Sequence, residues 1–142
     1  MEKRKRVKNL LFVCYGNICR SPMAERLGRK MFGEKMHIES AGVSPTASGP
    51  TEEAIQTMRS LFGLDISDHR PRHIQDVSVE KFDTVVAMDG YVYKQVLATN
   101  RIPERKIIQW NIEDPISLGL EGYKKIARKI QKNLQEFKTS FL

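Results

Sequence analysis

The stretch "FVCYGNICRSPMAERL" (residues 12–27) joins the end of an apolar run to the start of an amphipathic one. Upstream, "VKNLLFV" (7–13) is continuous and apolar, the pattern of a buried strand. Downstream, Met23, Leu27 and Met31 recur at helical spacing. Pro22 falls in the first turn, where its missing N–H costs nothing. Residues 21–32 therefore read as a helix. Cys14, Tyr15, Gly16, Asn17, Ile18, Cys19 and Arg20 must then form a strand-to-helix loop. If that loop curls, the backbone N–H groups that follow Cys14 point inward and make a nest for an anion. The helix start near Ser21 adds its positive end. Arg20 offers a planar fork of donors that matches two phosphate oxygens. Gly16 is expected to take a backbone angle that other residues resist, and Asn17 to tolerate the left-handed region. The same field favours the thiolate of Cys14, which would lie beneath a bound phosphate as an in-line nucleophile. Ser21 is placed to donate its hydroxyl to that sulfur.

The rest of the chain repeats the alternation. "MHIESAG" (36–42) reads as a short strand ending in a glycine turn. "GPTEEAIQTMRSLFG" (49–63) reads as a helix, with Glu52 and Glu53 at its N-terminus and Gly63 as its stop. "FDTVVAMD" (82–89) is a third strand, "YVYKQVLA" (91–98) a short helix and "RKIIQWNI" (105–112) a fourth strand. Residues 119–138 form the longest helix, with Leu120, Tyr123, Ile126, Ile130, Leu134 and Phe137 along one face. Strands alternating with helices predict an α/β fold: a three-layer sandwich, its four-stranded parallel sheet covered by helices on both faces. Ligands in such sheets bind beyond the carboxyl ends of the strands, which is where Cys14 begins the phosphate-binding loop after strand 1.

Length and composition bound the answer further. The 142 residues are 40% hydrophobic and 29% charged, which suits one compact domain over residues 1–142. No apolar run approaches the ~20 residues that span a membrane, and "LLFVC" is too short for a signal-peptide core. Two cysteines, Cys14 and Cys19, provide no disulfide framework, and the histidines are not at zinc-finger spacing. No metal or organic cofactor is expected, and a reducing cytoplasm is the inferred setting. The net charge of +7 fits either a solvated basic surface or an attraction to anions. Residues 1–6, "MEKRKR", are expected to be a disordered or solvated basic terminus.

A phosphate ester also needs its leaving oxygen protonated. "NIEDPISLGLEG" follows the fourth strand, and Pro115 stiffens the backbone just after Asp114. The pair reads either as a general acid on a loop or as a simple Asp–Pro turn.

These residues resemble a known family. "VCYGNICRSPMAE" and the late "EDP" look like the low-molecular-weight protein tyrosine phosphatases, over about residues 9–138. "SAG" (40–42), "GLDISDHRPRHI" (63–74) and "FDTVVAMD" (82–89) follow in the family's order. The resemblance implies a two-step hydrolysis of phosphotyrosine in protein substrates. Cys14 would form a cysteinyl-phosphate, and Arg20 with the loop amides would hold the equatorial oxygens. Asp114 would protonate the phenol and then help activate water, while Ser21 tunes the thiolate. Asn17 would hold the loop strained through hydrogen bonds that include Ser40 and His69. His69 reads as a structural histidine, and His37 and His73 as surface or packing residues. Cys19 either forms a disulfide with Cys14 under oxidation or simply packs at the helix start. Some positions depart from the pattern. Tyr15 stands beside the nucleophile, where a smaller or aliphatic residue is common. Ile116 and Ser117 stand where tyrosines often follow the Asp–Pro pair, and Tyr91 or Tyr93 is the alternative cleft-lining aromatic.

Three rivals follow from the same residues. An arsenate reductase on this fold needs further cysteines far along the chain, and none occurs after Cys19. A protein-arginine phosphatase resembles this chain but carries threonine at the position of Ile18. A catalytically idle phosphate-binding or nucleic-acid-binding module would use the basic surface. Nucleic-acid modules interleave aromatics with basic residues in a recognisable motif, and none appears, so no nucleic-acid partner is expected. Oligomeric state is not legible.

Overall fold

The structure is a computed structural model, and it describes residues 7–141. The basic stretch 1–6 lies outside the described residues. Four strands, β1 (Asn9–Cys14), β2 (His37–Gly42), β3 (Thr84–Ala87) and β4 (Ile107–Gln109), alternate with four helices, α1 (Arg20–Phe32), α2 (Glu52–Phe62), α3 (Gly90–Ala98) and α4 (Gly119–Phe141). The sheet is parallel throughout, in the order β2-β1-β3-β4. Because β1 lies between β2 and β3, the connections leave it in opposite directions. A crevice opens beyond the carboxyl ends of β1 and β3, where Cys14 and Asp89 emerge.

The strand period of two sorts β1 into two cores. Leu10 and Phe12 pack with Met23, Leu27, Met58, Tyr123, Ile130 and Leu134, under α1, α2 and α4. Leu11 and Val13 pack with Ile74, Val79, Val92 and Val96, under α3 and the short turns before β3. All four β1 side chains are fully buried, as a strand covered on both faces requires. Gly28 packs closely on β2: a Cβ there would stand 3.2 Å from Ile38 Cδ1, tighter than most contacts. That close approach seats α1 against the sheet and carries the loop 15–19 to the crevice.

The structure shifts several element boundaries. β4 has three residues rather than the eight of 105–112, because Glu104–Lys106 forms a 3-10 turn. Trp110 and Ile112 still donate to the carbonyls of Ala87 and Met88, at 2.8 Å each, so the chain follows β3 past the formal strand end. α2 does start at Glu52, with Glu52 and Glu53 in its first turn and Gly63 just past its end. Thr51 caps it by accepting from the Ala54 N–H at 3.2 Å. Leu120 leaves the predicted stripe of α4: it is exposed, and the buried face begins at Tyr123. Among the described residues, no helix is long and apolar enough to cross a membrane.

Candidate active site

The chain leaves β1 at Cys14 and enters α1 at Arg20, and the loop between is held from outside by its carbonyls. Tyr15 O accepts from Ser44 N at 2.8 Å, Asn17 O from His69 Nε2 at 2.8 Å and Ile18 O from Thr51 N at 3.0 Å. Carbonyls tied outward leave the loop amides to face the other way, into the crevice.

Asn17 is the centre of this arrangement. It adopts φ +56°, in the left-handed region. Each of its polar groups is engaged. Its side-chain N–H groups donate to Ser21 Oγ (2.8 Å) and Ser40 Oγ (3.0 Å), and its Oδ1 accepts from Arg72 N (2.9 Å). Its own backbone N–H donates to Cys14 Sγ at 3.2 Å. Gly16 does not take the strained angle expected of it. Its φ is not positive, and a Cβ there would meet only Ile18 at ordinary contact. Asparagine carries the left-handed residue because its side chain bonds locally, which offsets the steric cost. The glycine the loop does need is Gly42, at the end of β2. A Cβ on Gly42 would lie 2.8 Å from Tyr15 O and 3.0 Å from Asn17 N. "SAG" therefore ends in glycine for close backbone approach rather than for a turn.

Cys14 is buried at the base of the loop. Its sulfur is 2.9 Å from Ser21 Oγ. Since Ser21 Oγ already accepts from Asn17, the hydroxyl proton is available to the sulfur, with Ala41 O a longer alternative at 3.4 Å. Cys19, also buried, is different. Burial first, then the neighbouring Cys14 and Asp114, push its thiol up to about 12. Both cysteines are free.

Arg20 is buried yet only half satisfied. Its Nη1 donates to Asp89 Oδ2 (2.7 Å) and to Ile112 O (2.9 Å). Nη2 is 3.9 Å from Asp114 Oδ2, and Nε has no hydrogen-bond partner among the described residues. Burial opposes its charge, but Cys14, Asp89 and Asp114 outweigh that penalty and raise its pKa. One corner of the guanidinium is clamped through Nη1, while Nε is unbonded and Nη2 has only the long approach to Asp114. Asp89 is desolvated, but bonds from Val92 N and Arg20 hold its pKa below the usual carboxylate value. The sequence reading missed this residue. Its only signal is an acid at a strand end just before a helix, and the pairing with a residue 69 positions away leaves no local trace.

Glu25 was also missed. It is buried one turn after Ser21, accepts from Ser40 Oγ at 2.5 Å and pairs with Arg29 at 2.9 Å. The chain Asn17–Ser40–Glu25–Arg29 thus anchors the loop to the outer face of α1. His69, buried against the Asn17 carbonyl, is held below its ordinary pKa chiefly by desolvation, and donates as the neutral ring. His37 pairs with Glu39, and His73 caps the turn at Gln75; neither touches the loop. Asp114 stands at the crevice mouth, its side chain 44% exposed, and its Oδ1 accepts from Ile116 N at 3.1 Å. Cys19 Sγ is 3.9 Å from the same oxygen. Tyr15 is exposed beside Tyr91, their ring centroids 6.1 Å apart. Tyr93 bonds Glu104 instead. Among the described residues, no cluster of His, Cys, Asp and Glu is arranged to hold a metal ion.

Comparison with known proteins places this geometry. Residues 9–141 match the model of the low molecular weight phosphotyrosine protein phosphatase family. An arsenate reductase of Staphylococcus epidermidis is 30% identical over 132 residues, 93% of this chain and 97% of its own. A probable low molecular weight protein-tyrosine-phosphatase, EpsP of Ralstonia nicotianae, is 28% identical, covering 90% and 92%. The crystal structure of a low molecular weight protein tyrosine phosphatase from T. tengcongensis superposes with a TM-score of 0.85 at 30% identity, covering 93% of this chain and 98% of that one.

Proposed function

This chain belongs to the low molecular weight phosphotyrosine protein phosphatase family, a family of hydrolases, and from that premise we propose that it removes phosphate from tyrosine side chains of proteins. The observation that carries the reading is the buried Nε of Arg20, without a hydrogen-bond partner among the described residues, beside an Nη2 held only by a 3.9 Å approach to Asp114 and close to the buried Cys14 sulfur. A phosphoryl dianion satisfies these two nitrogens with two charge-assisted hydrogen bonds. The inward loop amides take the remaining oxygens.

The reaction proceeds in two displacements. Cys14 sulfur attacks phosphorus, the S–P bond forms and the P–O bond to the phenol breaks. Asp114 gives its proton to the departing oxygen. Water then attacks phosphorus, the S–P bond breaks, and the Asp114 carboxylate takes the proton from water. The sulfur leaves as the thiolate, which accepts from Ser21 and Asn17. Arg20 and the amides hold the equatorial oxygens through both steps, where phosphoryl charge concentrates. Tyr15, Gly16, Ile18 and Cys19 supply the loop backbone, and Ser40 and His69 keep its shape. The nucleophile must stay reduced, which supports the cytoplasm as its setting.

Relatives named arsenate reductase call for a second reading. Reduction of arsenate needs thiols to carry two electrons as a disulfide forms. This chain has no cysteine beyond Cys19, and Cys19 is held in the thiol form, a poor attacking group. Hydrolysis needs no second sulfur. Ile18, apolar where arginine phosphatases carry threonine, supports tyrosine over phosphoarginine.

The test is a panel of phosphotyrosine, phosphoserine and phosphoarginine peptides, alongside arsenate with a dithiol reductant. Phosphotyrosine is expected to be the preferred substrate, and Cys14→Ser to abolish turnover of p-nitrophenyl phosphate. Equal activity of wild type and Cys14→Ser would remove the nucleophile. Faster phosphoarginine cleavage, or arsenate reduction, would replace the substrate.

A further inference from the structure

Residues 122–135 hold five basic residues, Lys124, Lys125, Arg128, Lys129 and Lys132, and no acid, in a chain whose whole net charge is +7. They lie on α4, whose two acids, Glu121 and Glu136, stand on either side of the run. The apolar stripe of α4 from Tyr123 to Phe137 is buried, so the helical period turns the basic side chains outward. Lys125, Arg128, Lys129 and Lys132 are exposed, and Lys124 is half-buried. Lys124 pairs with Glu121 at 3.6 Å. The other four form no ion pair among the described residues. Arg128 lies over the Phe62 ring, 5.6 Å from its centroid, and donates to Gln131, while Lys129 donates to Asn111 O. The Phe62 carbonyl accepts from Lys30 Nζ of α1 at 3.0 Å, so the positive face continues across the neighbouring helix ends.

A helix face that is merely solvated gains from mixed signs. Here Lys124 and Arg128, Lys125 and Lys129, and Arg128 and Lys132 are like charges four residues apart, and each such pair weakens the helix. Repulsion held in register along one face suits a surface that a polyanion neutralises. Chemistry and position narrow the choice of polyanion. Between Lys124 and Lys132 no exposed aromatic offers a platform for bases, and no exposed apolar side chain offers an anchor in lipid. Four of the five cations are lysines, compact charges that suit single carboxylates rather than forks that suit phosphate. From Lys124 to Lys132 the helix rises about 12 Å, the reach of about four extended residues. The run also starts close to the phosphate loop. It begins one residue after Tyr123, whose hydroxyl accepts from Thr51 Oγ1 at 3.1 Å, and Thr51 N holds Ile18 O. We infer that this face of α4 docks an acidic segment of the protein substrate, outside the crevice and separate from the phosphorylated residue. The inference rests on the reading above that the substrate is a phosphorylated protein.

The experiment uses phosphotyrosine peptides that end, after a flexible glycine–serine linker, in four glutamates or in four glutamines. In low salt, wild type is expected to favour the glutamate tail by about tenfold in kcat/KM, through KM, and to lose most of that preference at about 0.5 M salt. In Lys125→Glu/Lys132→Glu the preference is expected to fall below about twofold, with the loss on the glutamate-tailed peptide exceeding the loss on p-nitrophenyl phosphate. Both substitutions set an acid four residues from a base, Lys129 or Arg128, so Tm is expected to rise by about 2 °C, which separates lost docking from lost folding. A fluorescent glutamate tail without phosphotyrosine, followed by anisotropy, reads docking apart from chemistry. Wild type is expected to bind it about tenfold more tightly than the glutamine tail. Equal treatment of the two tails, or a preference that survives the double substitution, overturns the inference. So does binding of duplex RNA or phosphatidylglycerol vesicles that exceeds binding of the glutamate tail and is lost in the double variant, since the partner is then that polyanion. A wild type that cleaves p-nitrophenyl phosphate but neither peptide overturns the substrate reading, and the anisotropy of the free tails then decides the docking by itself.

Discussion

The loop 15–19 and the loop 113–118 face each other across one crevice, and they are built on opposite terms. The first is locked. Asn17 has every polar group bonded, Gly42 leaves no room beneath the backbone, and the outward carbonyls are tied to Ser44, His69 and Thr51. The second is nearly unheld. Asp114 is half in solvent, and its contacts are a turn bond from Ile116 and long approaches to Arg20 and Cys19. The difference fits the roles proposed for the two loops. Stabilising phosphoryl charge requires dipoles that do not reorganise. The proton transfer proposed for Asp114 suits a side that yields.

The sharpest way to break this contrast is Arg20→Lys. Lysine keeps the charge but loses the planar fork, of which Asp89 clamps Nη1 and the remaining donors are proposed to hold phosphate. Turnover is expected to fall by about 10³-fold with the fold intact by circular dichroism. A loss below about tenfold would mean that the cup supplies charge and not geometry. Next is Asp114→Asn on the yielding side. A loss of about 10²-fold is expected for alkyl-substituted phenyl phosphates and distinctly less for p-nitrophenyl phosphate, whose phenolate leaves unaided. Equal losses along that series would rule out proton donation by this side chain.

Gly42→Ala probes the locked side without touching a reacting group. The added Cβ meets backbone atoms, so the loop must shift, at a cost of about 2 kcal/mol in stability and roughly tenfold in turnover. Thermal denaturation and kinetics together check it, and an unchanged Tm would show the loop to be softer than its hydrogen bonds suggest. The smallest effect concerns His69. Its folded pKa lies below 6.5, so the unfolded chain binds the proton first as pH falls. The stability it contributes is present above pH 6.5 and is lost on acidification through the folded value. Tm measured from about pH 7 to about pH 5 is expected to decline, and His69→Gln to flatten that slope. Glu39 and Asp89 are depressed carboxylates and titrate below this window. An identical slope in the variant would assign the decline elsewhere.

Much of this was legible from residue order. Cys14 and Arg20 stand close together between a strand pattern and a helix pattern, so local spacing alone predicts the cup. The α/β alternation and the helix faces are likewise local signals, apart from Leu120, which the helical period places on the buried stripe and the structure leaves exposed. Asp114 was legible as a proline-stiffened acid, while its approach to Arg20 was not. Glycine preference misassigned the strained position to Gly16, because side-chain bonding at Asn17 depends on Ser21 and Ser40 being brought together.

By itself, the sequence determined the order of strands and helices, and the loop after β1 that carries Cys14 and Arg20, because each rests on periodicity or on residues a few positions apart. Only the tertiary structure decided that Asp89 and Ile112 clamp Arg20, that Gly42 lies beneath the loop and that Cys19 is a buried thiol. Those are contacts between segments far apart in the chain. Packing and desolvation create them, and neither leaves a period in the order of residues.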